Sequence, residues 1–128
     1  MQERIVGAPP KLRIVDGEPR QVYEAARLAM DRLGYQVTDG GPAQGRLEGL
    51  SRIGGGNDFK SSRQRAITVH LQPQDGGTVE VQVRLSEIVE DSFNRLANSA
   101  TETPLRDSAG YDAFFEELAR QLQGLKGK

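Results

Sequence analysis

The 128-residue chain contains no cysteine and no tryptophan, and it has one histidine, His70. Without thiols, a disulfide scaffold, a thiolate zinc site and a cysteine nucleophile are all excluded. A lone imidazole lacks a second nitrogen ligand and a positioned partner, so neither metal binding nor general acid–base chemistry is expected of His70. A surplus of one charge is also missing: 17 basic residues face 18 acidic ones, for a net charge of −1. No strong field gathers polyanions, and nucleic acid is not an expected partner. Nor is there an apolar run of the length that a signal peptide or a membrane span needs. The lead from Met1 to Pro10 is polar and proline-bearing, as a region is once its export signal is removed, so membrane association is expected only through a missing N-terminal anchor.

What is present is the composition of a folded domain, 36% hydrophobic and 27% charged. Residues 1–10 read as a flexible arm interrupted by Gly7, Pro9 and Pro10, and residues 11–125 as a single α+β domain. Lys11 to Val15 suits a first strand. Pro19 suits the first turn of a helix, in which Val22, Ala25, Ala26, Ala29 and Leu33 share one face and Gly34 ends the helix. Tyr35 and Val37 enter a turn at Asp39-Gly40-Gly41-Pro42, and Gly45 to Ile53 reads as the next strand, with Gly49 leaving room on its inner face. Gly54-Gly55-Gly56-Asn57-Asp58 reads as a loop.

A hairpin follows. Ile67, Val69 and Leu71 alternate with polar residues, as do Val79, Val81, Val83 and Leu85, around a turn at Asp75-Gly76-Gly77. One apolar and one polar face mark an antiparallel sheet covered on one side. Glu90 to Arg106 lacks a period and reads as an irregular connection, with Phe93, Leu96 and Leu105 folding back on the body. Asp107 or Ser108 caps a last helix whose stripe of Tyr111, Phe114, Phe115, Leu118, Leu122 and Leu125 holds most of the aromatic mass. The expected fold is thus an antiparallel sheet of four to five strands covered on one face by two helices.

Chemistry-bearing constellations are thin. The run Gly54 to Gly56, Lys60 and Ser61-Ser62 lacks P-loop spacing and opens no helix. Lys60, Arg63 and Arg65 beside Phe59 form a basic loop cluster, an interaction loop suited to an acidic partner surface or anionic headgroups, with the irregular segment 92–106 and an exposed sheet edge as the other contact surfaces. Glu87, Glu90 and Asp91, with Asp107 and Asp112, show no calcium-loop pattern and read as solvated or capping charges. No catalytic, cofactor-binding or metal-ligating residue is expected, and no cofactor.

The helix ending at Gly34-Tyr35-Gln36-Val37, the acidic turn at Asp39, and Gly45-Arg46-Leu47-Glu48-Gly49 together resemble the repeated domains of BamC-type outer-membrane assembly lipoproteins. The likeness spans Arg20 to Ile53, and it implies a helix-grip fold with a curved sheet packed on its helices. It further implies a non-enzymatic, lipoprotein-like envelope domain in the periplasm or at the outer membrane, an interaction or scaffold module with an envelope protein as partner. The alternative is a domain that binds a small apolar ligand between helices and sheet, with Tyr23, Tyr35, Tyr111 and Phe115 as first lining candidates. The pattern sets neither strand order nor oligomeric state.

Overall fold

The structure, a computed structural model, describes residues 10–51, 54–55, 61–91, 100–106 and 108–126. Its elements in chain order are β1 (Lys11–Asp16), α1 (Pro19–Arg32), β2 (Tyr35–Gly41), β3 (Arg46–Ser51), β4 (Gly54–Gly55), β5 (Ser61–Gln74), β6 (Thr78–Asp91), β7 (Ala100–Leu105) and α2 (Ala109–Lys126). The frame is the β5–β6 hairpin, two strands of 14 residues paired without interruption from Ser61↔Asp91 to Gln74↔Thr78. Gly76 and Gly77 turn it with φ of 88° and 79°, the left-handed region that glycine enters without strain.

Each long strand carries two short ones end to end on its outer side. β1 pairs with the first half of β6 and β7 with the second, while β3 and β4 divide β5 in the same way. Every pairing is antiparallel, and the main path runs β1-β6-β5-β3-β2.

The alternating apolar residues of β5 and β6 bury one face of this sheet, and both helices lie on it. From α1 the core receives Val22, Ala25, Ala26, Ala29 and Met30, and from α2 Tyr111, Phe114, Phe115, Leu118 and Leu122. Each fully buried branched or aromatic side chain contributes about 1.5–3 kcal/mol. The small α1 side chains let that helix sit close to the sheet, and Gly49 completes the fit. A Cβ at Gly49 would stand 2.6 Å from the Met30 methyl.

The α+β class and the one-sided helical cover are therefore as the sequence pattern implies. The strands are more numerous and longer. The connection expected to be irregular contains β7, and β6 runs on to Asp91, because backbone pairing sustains strands where side-chain alternation has faded. Asp39, Gly40 and Gly41 belong to β2, which is bulged between Val37 and Asp39; the chain reverses instead at Pro42 to Gly45, where Gly45 has φ 63°. Gly54 and Gly55, expected in a loop, pair with Arg63 and Ser62.

Leu33, expected in the core, is 36% exposed, because the helix ends there and Met30 takes the inner position. The last helix starts with Ser108, whose hydroxyl accepts the Gly110 N–H at 3.1 Å. Residues 1–9, Phe93, Leu96 and Asp107 lie outside the described residues.

Candidate functional site

Of the expected interaction loop, Phe59 and Lys60 lie outside the described residues, and Arg63 and Arg65 stand on β5 rather than in a loop. Their cross-strand partners on β6 are Val89 and Glu87, so pairing with the long strand has drawn this basic stretch into the sheet. Arg63 reaches Glu87 at 3.9 Å and stays largely exposed. Arg65 is half-buried: its amide donates to the Ser51 hydroxyl at 2.8 Å, and its guanidinium lies 2.9 Å from where a Cβ on Gly110 would be. Tyr35 sits beside it. Burial pushes the Tyr35 phenol up from its ordinary 10.0, against a smaller opposing effect of Arg65.

His70 is exposed on the uncovered face of the sheet, across from Arg46 and Gln82. Among the described residues, no three His, Cys, Asp or Glu side chains gather where they could hold a metal ion.

Chemically distinctive groups converge elsewhere, where β1 meets the start of α2. Strand alternation turns Lys11, Arg13 and Val15 toward the helices and Leu12 and Ile14 away from them. On α2, Tyr111 and Phe115 are one turn apart and share a face. The Arg13 guanidinium lies 4.5 Å from the centre of the Phe115 ring, and the Lys11 ammonium 5.8 Å from that of Tyr111. Both are cation–π distances.

The cations, the two rings, Ser108 and Asp112 line a surface groove of about 480 Å³. Its floor is held in place by the Tyr111 hydroxyl, which accepts the Leu85 N–H at 3.0 Å and donates to the Leu105 carbonyl. A second groove of about 390 Å³ lies between α1 and β2, next to Arg27, Asp31, Tyr35 and Ser51. A third, of about 480 Å³, has Tyr23, Pro42 and Leu125 in its wall.

The four aromatic residues expected to line one cavity between the layers are thus divided. Tyr111 and Phe115 come together at the β1–α2 groove, while Tyr35 and Tyr23 line the other two. Tyr35, Tyr111 and Phe115 are also core residues, because rings at helical and strand spacing pack inward. Lys11 and Arg13 were missed as site residues. Their signal was the alternation of cation and apolar residue through Lys11 to Ile14.

No family model matches the chain, and no curated protein matches it. Among solved structures, it is similar to a chain in the crystal structure of the adenylate sensor from AMP-activated protein kinase in complex with the ribofuranotide ZMP. That likeness has a TM-score of 0.51 at 14% identity and covers 93% of this chain and 97% of the other. Such a match speaks for the fold.

It overturns the expectation of an envelope interaction or scaffold domain, since an architecture of this kind is shared along almost its whole length with a chain of a sensor. The physical reason is that the motifs behind that expectation are structural. Gly34 ends a helix at φ 92° and Gly49 makes room for Met30, so both report backbone geometry and not location. None of these comparisons bears on the BamC-type likeness. Among the described residues, no helix is long and apolar enough to cross a membrane.

Proposed function

We propose that the chain is a non-catalytic ligand-binding domain that holds a small organic anion of the phosphate-monoester class in the groove between β1 and α2. One observation carries this reading: two cations on alternate residues of one strand meet two aromatic rings one helical turn apart, beside a groove of about 480 Å³. That volume falls within the range of small-molecule sites, about 300–1,000 Å³.

An anion placed there gains charge-assisted hydrogen bonds from Lys11 and Arg13, and the buried rings of Tyr111 and Phe115 beneath those cations hold them in position. Asp112, exposed in the first turn of α2, repels an anion on the helix side of the groove, so the charged end sits on the β1 side. The ribofuranotide in the similar sensor structure is of this chemical class, and that agreement supports the choice of ligand to test first. The ligand class itself rests on the groove.

The test is isothermal titration of the protein with AMP, adenosine and a short-chain fatty acid. AMP should bind, adenosine should bind at least about tenfold more weakly, a difference of about 1.4 kcal/mol, and Arg13→Glu should abolish the difference. Equal binding of AMP and adenosine, or binding of the fatty acid alone, would overturn the proposal.

A further inference from the structure

The two edges of the sheet are built differently. β2, at one edge, carries a bulge, the exposed Asp39 and two glycines at its end, devices that discourage another strand from pairing. β1, at the other, pairs with β6 in unbroken register and shows two large apolar side chains to solvent, Leu12 at 55% exposure and Ile14 at 59%. Among the described residues, no strand pairs with its outer side.

The hydrogen-bond phase of that outer side follows from the inner one. Gly17 donates to the Gly77 carbonyl at 3.0 Å, in the register that pairs Asp16 with Thr78. Antiparallel pairing alternates bonded and non-bonded residues, so Lys11, Arg13 and Val15 point their backbone groups at β6. Leu12, Ile14 and Asp16 point theirs outward, a set centred on Ile14.

We propose that β1 is a homodimerisation edge, on which a second copy of the chain adds its own β1 antiparallel about a two-fold axis through Ile14. Charge selects both the occupant and the register. β1 is cationic at its start, with Lys11 and Arg13, and acidic at its end, with Asp16 followed by Glu18. Antiparallel pairing with a copy of itself brings the positive end of each strand against the negative end of the other, whereas parallel pairing opposes like ends.

A register one step away, centred on Arg13, would set two guanidinium groups directly opposite, which is destabilising. With Ile14 at the centre, Arg13 faces Val15 of the second copy and the two Ile14 side chains meet. Leu12, Ile14 and Asp16 then exchange backbone hydrogen bonds with the same three residues of the other copy, and none of them is proline. A net charge of −1 per chain adds little repulsion.

An interface of one strand pair is small, so a dissociation constant on the order of 10 µM is expected. Sedimentation velocity over roughly 1 to 100 µM spans that value. The wild type should pass from monomer to dimer, and high salt should weaken the dimer. Ile14→Lys sets two ammonium groups across the axis at an exposed position. It should weaken dimerisation at least about tenfold while keeping the wild-type circular dichroism spectrum. Wild type that stays monomeric throughout, or a dimer that Ile14→Lys leaves intact, overturns the proposal. If Ile14→Lys loses the native spectrum, Asp16→Lys, which sets cations of both strands against each other at an exposed position outside the groove, takes its place and is held to the same two outcomes. Ile14 is outside the ligand groove's charged wall, so loss of the dimer and loss of AMP binding are separate readouts.

Discussion

The Tyr111 hydroxyl stands in the backbone ladder of the sheet, accepting the Leu85 N–H at 3.0 Å. Leu85 and Leu105 oppose each other in register, and the same hydroxyl donates to the Leu105 carbonyl. One side chain from α2 thus joins β6 to β7 close to the point where β1 begins, and it fixes the floor of the β1–α2 groove at the same time.

Tyr111→Phe removes both bonds while keeping the ring. The buried Leu85 amide loses its partner, and the cost is about 1–3 kcal/mol. Urea unfolding measures it, and hydrogen exchange at the Leu85 amide should accelerate relative to the amides of Val81 and Val83. Unchanged stability would mean that the two strands close the gap with a direct backbone bond.

The seat of α1 on the sheet rests on Gly49. Its Cβ site lies 2.6 Å from the Met30 methyl and 3.0 Å from the Gln36 carbonyl oxygen. Gly49→Ala should therefore destabilise the protein by about 1–3 kcal/mol, the usual range for overpacking. A double-mutant cycle with Met30→Leu, which shortens the intruding side chain, should show coupling of about 0.5 kcal/mol or more. Strict additivity would place the strain at Gln36.

Alkaline pH should act through Tyr35. Its phenol is pushed above the ordinary 10.0, first by burial, so the folded state holds its proton at a pH where the unfolded chain has released it. The associated stability is complete below pH 10, and it is lost as pH rises from there through the folded value. Urea midpoints measured from neutral to strongly alkaline pH should fall in that window for the wild type and less steeply for Tyr35→Phe. Parallel curves would assign the loss to other groups.

Both helices and the hairpin around Gly76-Gly77 were legible because hydrophobic periodicity and turn glycines act locally. Val22, Ala25, Ala26 and Ala29 repeat at helical spacing and Val79, Val81 and Val83 at strand spacing, and all are buried. β7 was not legible. Thr101, Glu102, Thr103 and Pro104 carry no alternation, and they form a strand because β6 presents an unpaired second half beside them.

The same holds for Arg63 and Arg65, whose charge reads as loop until the register with Val89 and Glu87 is known. The groove was invisible for another reason. Lys11 and Arg13 lie at one end of the chain and Tyr111 and Phe115 at the other, and only the order of strands brings them together. Tyr111 and Phe115 could be named from their helical spacing, but not the cations that lie over them.

The central claim is that the β1–α2 groove binds a small organic anion. Amide chemical shifts of the isotope-labelled protein, followed during titration with AMP, test it most directly. The account predicts saturable shifts concentrated at Lys11 to Arg13 and at Ser108 to Phe115, absent in Arg13→Glu. Shifts confined to the Tyr35 or Tyr23 grooves, or no saturable shift at millimolar AMP, would contradict it.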